Sequence, residues 1–81
     1  MTVRIVAFAR VRELLGFGER ELELPDGATT RDAWNLLAAS AAALQPLAAS
    51  TRLARNGTLL AQDERLESGD ELALLPPVGG G

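Results

Sequence analysis

Few side chains in this sequence could carry chemistry. It has no cysteine and no histidine, which removes thiolate and imidazole nucleophiles, Ser-His and Cys-His pairs, and the commonest metal ligands. Its eleven Asp and Glu residues are not arranged for acid–base work, so neither a self-contained enzyme nor a metal site is expected. The candidate reactive group belongs instead to the backbone. Leu72-Ala73-Leu74-Leu75-Pro76-Pro77-Val78-Gly79-Gly80-Gly81 reads as an apolar strand, a double proline, one valine and then glycine to the end. The prolines fix φ and favour an extended path, so Pro76 and Pro77 should start a short stiff arm. Gly79, Gly80 and Gly81 lack a Cβ and can thread a slot too narrow for other residues. At the tip, the α-carboxylate of Gly81 is expected to be unhindered and accessible. Glycine tails are also found as plain linkers, but here a strand and a rigid double proline lead into the glycines, and no further element is expected after them.

An arm of this kind needs a rigid base. Thr2 to Ala9 alternates as a strand, with Val3, Ile5 and Ala7 facing a core and Arg4, Val6 and Phe8 facing away. Val11 to Leu15, closed by Gly16 and Gly18, reads as a helical turn. Glu19 to Leu24 is a second strand, with its glutamates outward and Leu22 and Leu24 inward, pairing antiparallel with the first. Pro25-Asp26-Gly27 then turns the chain. Thr29 and Asp32 have capping-box spacing at the start of a helix. Its stripe is read as Ala33, Leu36, Leu37, Ala41 and Leu44, with Trp34 at the stripe's edge and Pro46 as the terminator. Thr51 to Arg55 and Thr58 to Ala61 flank Asn56-Gly57, a strong hairpin signal. Leu66 anchors a polar stretch, Ser68-Gly69-Asp70 turns, and Glu71 to Leu75 is the last strand, with Leu72 and Leu74 on one face.

This succession predicts an α+β domain, a mixed sheet with one principal helix packed across it. The apolar first and last strands form its central pair, parallel because the helix supplies a crossover. Residues 1–75 make the domain and 76–81 the arm. Phe8, Leu75 and either Leu59 or Leu60 then fall on the face away from the core, near the arm's base, and such a patch marks a partner surface.

Composition narrows the function further. The net charge is −3 and the eight basic residues are scattered among acids, so there is no stripe for phosphates and no nucleic acid is expected. No apolar run could cross a bilayer, and a cytoplasmic location without membrane attachment is expected. Every basic residue is arginine, so no lysine amine on this chain could capture an activated Gly81.

Phe8-Ala9-Arg10-Val11-Arg12-Glu13-Leu14-Leu15-Gly16, Asn56 to Leu60, Ser68-Gly69-Asp70-Glu71 and Pro76-Pro77-Val78-Gly79-Gly80-Gly81 together resemble the small, sulfur-carrying subunit of molybdopterin synthase. The likeness covers essentially the whole chain and implies a ubiquitin-like β-grasp fold with an extended C-terminal Gly-Gly arm. It also implies that an adenylyltransferase akin to ubiquitin-activating enzymes uses ATP, with the magnesium on that enzyme, to convert the Gly81 carboxylate to an acyl-AMP. A sulfur donor protein then makes the thiocarboxylate. The large catalytic subunit, in a heterotetramer, takes in the arm and passes sulfur to a cyclic pyranopterin precursor, building the dithiolene that holds molybdenum. The resemblance makes Phe8, Leu59, Leu75, Pro76, Pro77, Val78, Gly79 and Gly80 the partner-binding residues, with no permanently bound cofactor. Gly79 departs from the pattern, which more often has Thr, Ser or another small residue there.

The chemistry suits a chain so poor in catalytic groups. A carboxylate is a weak electrophile until AMP gives it a leaving group. A thiocarboxylate stays ionised near neutral pH and is nucleophilic without help from histidine or cysteine. Acid–base and oxyanion groups can all sit on the partner, which makes this chain a cosubstrate. Three other readings stay open: the same sulfur chemistry serving thiamine, cysteine or tRNA thiolation, a ubiquitin-like protein modifier, and a plain structural binding domain, for which deleting Gly80 and Gly81 should leave activity unchanged.

Overall fold

A computed structural model of the chain describes residues 1–77. In chain order it has β1 (Thr2–Ala7), α1 (Ala9–Leu15), β2 (Glu19–Glu23), α2 (Thr30–Ser40), a 3-10 helix (Ala42–Leu47), β3 (Arg52–Arg55), β4 (Thr58–Leu59) and β5 (Glu71–Leu75). The five strands form one sheet in the order β2-β1-β5-β3-β4. β1 and β5 run parallel at its centre, with Arg4 opposite Glu71 and Ala7 opposite Leu74, and the other pairs are antiparallel.

Strand alternation decides which face is covered. Val3, Ile5 and Ala7 of β1 and Leu72 and Leu74 of β5 are buried against Ala33, Leu37, Val11 and Leu44 from the helices. Each large aliphatic side chain taken out of water there stabilises the fold by about 1.5–3 kcal/mol. Leu66 is buried too and anchors the polar stretch before β5.

The start of α2 follows local rules. The Thr29 hydroxyl accepts from the Asp32 N–H at 3.2 Å and the Asp32 carboxylate accepts from the Thr29 N–H at 2.9 Å, a reciprocal cap. Buried Thr30 donates to Asp63 at 2.7 Å and accepts from the Glu64 N–H at 3.2 Å, so the stretch before β5 is tied to this helix end. Asn56 and Gly57 both have positive φ, 50° and 85°, which suits the tight turn between β3 and β4.

Several expected boundaries move. β1 stops at Ala7, and α1 takes up Ala9 and Arg10 to become seven residues long. β4 is only two residues. The principal helix ends at Ser40, well before Pro46, which instead lies inside the 3-10 helix. An α-helix continued through Pro46 would set the proline ring against the Ala42 carbonyl; the break at Ala41 avoids this and still buries Leu44 completely. The buried stripe is also rotated. It comprises Thr30, Ala33, Trp34, Leu37 and Ala38, while Leu36 is 45% exposed. Trp34 and Leu36 are about 200° apart around a helix of 3.6 residues per turn, so one must face out. The indole, with more apolar area to bury, takes the core.

Candidate functional site

The site is assembled from the sheet face that no helix covers. On it, register sets Val6 of β1 beside Ala73 of β5, Ala73 beside Ala54 of β3, and Ala54 beside Leu59 of β4. One apolar row therefore crosses the sheet. Leu59 at its end is 53% exposed.

Phe8 and Leu75 each lie one residue beyond the Ala7–Leu74 pair, on neighbouring strands at the end where the arm leaves. Phe8 is 46% exposed. Its backbone is extended (φ −126°, ψ 154°), and the chain turns sharply at Ala9, whose φ is +49°. Alanine in that left-handed region costs roughly 1–2 kcal/mol, so the corner that presents Phe8 is held in place by its surroundings. Leu75 is half-buried and pairs with Arg52 of β3. Beyond it Pro76 is half-buried and Pro77 exposed.

The three expected patch residues therefore form a band. Phe8 and Leu75 are neighbours, and Leu59 stands three strand spacings from β1, about 14 Å, joined to it by Val6, Ala73 and Ala54. Leu60, the other candidate, packs against the core. Val78, Gly79, Gly80 and Gly81, including the carboxylate on which the chemistry turns, lie outside the described residues.

Charged groups border the band. Arg4 lies between Glu19 and Glu71, 3.7 Å from each. At the far end of β5, the carboxylate of Asp70, only 7% exposed, accepts from Arg55 Nε at 2.7 Å, Asn56 Nδ2 at 2.9 Å and the Glu67 N–H at 2.8 Å. Asn56 in turn accepts from the Glu71 N–H at 2.9 Å, clamping the first residue of the arm-bearing strand. Burial by itself would raise the Asp70 carboxyl; its donors from Asn56, Glu67 and Arg55 outweigh that and hold it below the usual carboxylate range. The bond to Asp70 raises the Arg55 guanidinium. Sequence reasoning took Asn56 and Asp70 only as turn residues, and nothing local signals that side chains 14 and 15 residues apart will meet. Arg52 was missed as well, though strand alternation from Ala54 puts it on the uncovered face.

Among the described residues, no group of three or more Asp and Glu side chains could hold a metal ion. None of their helices is long and apolar enough to cross a membrane.

A mixed five-stranded sheet with its parallel pair at the centre, one helix packed across one face and the last strand continuing outward defines a ubiquitin-like β-grasp domain. Known proteins agree and narrow the class. The ThiS family matches residues 5–81, and the chain belongs to that family. It is 37% identical over 83 residues to the molybdopterin synthase sulfur carrier subunit of Chlamydomonas reinhardtii, covering all of both chains. With the subunit of the same name from Arabidopsis thaliana it shares 32% identity, covering 98% of this chain and 82% of that protein. The crystal structure of SAMP1 from Haloferax volcanii superposes with a TM-score of 0.86 at 30% identity over the full length of both. The solution structure of small archaeal modifier protein 1 from Methanosarcina acetivorans gives 0.83 at 26% identity, covering 99% of this chain and 96% of that one.

Proposed function

We propose that this chain is the sulfur-carrier subunit of a molybdopterin synthase, with the sulfur held as a thiocarboxylate on Gly81. An ATP-dependent adenylyltransferase, which keeps the magnesium, forms the acyl-AMP at Gly81, and a sulfur donor protein displaces AMP. The large catalytic subunit, in a heterotetramer, then receives residues 76–81 as an extended arm and transfers the sulfur to the cyclic pyranopterin precursor. Phe8, Leu59 and Leu75 dock against that subunit, and Pro76, Pro77, Val78, Gly79 and Gly80 occupy its slot. The observation that carries this reading is the placement of β5. A central strand, bonded on both sides, leads directly into Pro76 beside an uncovered apolar band. The names of the 37% and 32% identical relatives support the choice of pathway.

Intact-mass measurement of the protein from its native cells tests the proposal. A gain equal to one sulfur-for-oxygen exchange, lost on deletion of Gly80 and Gly81, is the expected result. A second reading, a modifier joined to other proteins by amide bonds, has support from the likeness to SAMP1. It predicts conjugates that survive reducing gels and no sulfur on the free protein.

A further inference from the structure

The charges of this acidic chain are sorted by end. A line across the sheet between the Arg4 and Ile5 rows leaves Arg10, Arg12, Arg20, Arg52 and Arg55 on the arm's side, with only Glu13 and Glu19 against them; Arg55, on that line, reaches back to Asp70 and Glu64. The other end carries the remaining three arginines and the remaining nine carboxylates. The arm therefore leaves from the positive pole of a protein whose net charge is −3.

The arginines at this pole differ in their surroundings. Arg10 is neutralised by Glu13 at 3.1 Å. Arg20 lies over the Phe17 ring, 4.3 Å from its centroid, and Arg12 lies against Gly18, where an added Cβ would come within 3.1 Å of its guanidinium. Arg52 is exposed, pairs in register with Leu75 on the uncovered face, and has no carboxylate within 4.0 Å among the described residues. The other arginine of that face, Arg4, has two. Beside the band, then, one cation is balanced by the described residues and one is not, and the latter stands at the arm's base.

We propose that the surface receiving the arm carries carboxylates around the mouth of its slot, and that one of them pairs with Arg52. The proposal rests on the reading of this chain as a carrier that inserts residues 76–81 into a large synthase subunit, and it adds the chemistry of that subunit's rim. Opposite charge around the mouth orients the carrier arm-first during encounter and suppresses approach by its acidic end. Burying Arg52 against apolar surface with no anion opposite would cost free energy, so a rim without acid would oppose docking. Placed beside Leu75 and desolvated with it, the ion pair gains strength that a solvent-exposed pair lacks.

The test measures binding of the full chain to the large subunit from the same organism, for wild type, Arg52→Glu, Arg65→Glu and Phe8→Ala. Salt is raised from about 0.1 M to about 1 M, over which the screening length falls from about 10 Å to about 3 Å. Circular dichroism confirms that each variant folds. Arg52→Glu is expected to weaken binding about tenfold or more at low salt, with the gap to wild type narrowing at high salt. Arg65→Glu, at the opposite end, should stay within about twofold. Equal losses in Arg52→Glu and Arg65→Glu would reduce the effect to overall charge and overturn the local pairing. If Arg52→Glu binds as well as wild type while Phe8→Ala binds more weakly, the acidic rim is refuted and the docking band stands. Failure of wild type to bind at all overturns the carrier reading, and this proposal with it.

Discussion

Leu74 and Leu75 are consecutive in one strand and have opposite fates. Leu74 points into the helix-covered side and is fully buried; Leu75 points to the uncovered side and remains partly exposed. The same holds across the whole sheet. On one face Ile5, Leu72 and Leu74 are sealed from water, and on the other Phe8 and Leu59 stay about half exposed. One hydrogen-bonded ladder thus has two unlike faces, with stability concentrated on one side and apolar surface left open to water on the other. Substitutions should separate accordingly.

The widest separation is expected between the neighbouring leucines. Leu74→Ala should cost about 2–5 kcal/mol of stability in denaturant melts, and Leu75→Ala less, about 1–2 kcal/mol, since part of its surface already meets water; equal losses would erase the distinction between faces. Asp70→Ala acts on both faces at once by releasing the start of β5, and should cost about 2–3 kcal/mol at neutral pH. Because the Asp70 carboxyl is held below its unfolded value, its contribution is complete above the ordinary carboxylate range and fades as pH falls through the lowered folded value. The stability gap between Asp70→Ala and wild type should therefore close in strong acid; a gap constant with pH would show that the carboxylate charge is not what matters.

Next come Phe8→Ala and Leu75→Ala, each expected to weaken large-subunit binding by roughly 1–3 kcal/mol with near-normal folding; affinities matching wild type in calorimetry would remove the band from recognition. Thr29→Ala should cost about 1 kcal/mol of stability through the lost cap and leave partner affinity untouched. The smallest change, and the only gain, is Ala9→Gly. Relief of the left-handed alanine, set against glycine's greater unfolded freedom, should raise stability by less than about 1 kcal/mol. A loss instead would mean that the corner after Phe8 is unstrained.

What was legible in the sequence was local or periodic. Alternation in β1 and β5 identified their buried faces, Thr29 with Asp32 marked the start of α2, and Asn56-Gly57 marked a turn, because each depends on residues within a few positions. The two strands could be paired in parallel because both are apolar candidates for the centre and the helix between them supplies a crossover. The end of α2 was not legible, since helix propensity continues through the alanines after Ser40 and the break is decided by where Leu44 must pack. The choice between Trp34 and Leu36 was hidden for the same reason: both are apolar, and the sheet beneath decides which is sealed. Of the exposed members of the candidate site, Phe8 was readable from strand parity, whereas parity left Leu59 and Leu60 as alternatives and only the family resemblance chose Leu59. The site's polar surroundings were not readable, because Asp70, Asn56 and Arg55 meet only once β3 and β5 lie side by side.

The position of β5 also bears on mechanical load. Anything that grips residues beyond Pro77 and pulls along the strand axis loads the β1 and β3 ladders together. Those bonds lie across the pull, so they must slide as a set and cannot peel open one at a time, as they would if an edge strand were tugged. If the arm is drawn into a tight channel as proposed, the domain can thus act as a firm grip during entry and withdrawal, and the contact with the partner is where such a pull should yield first.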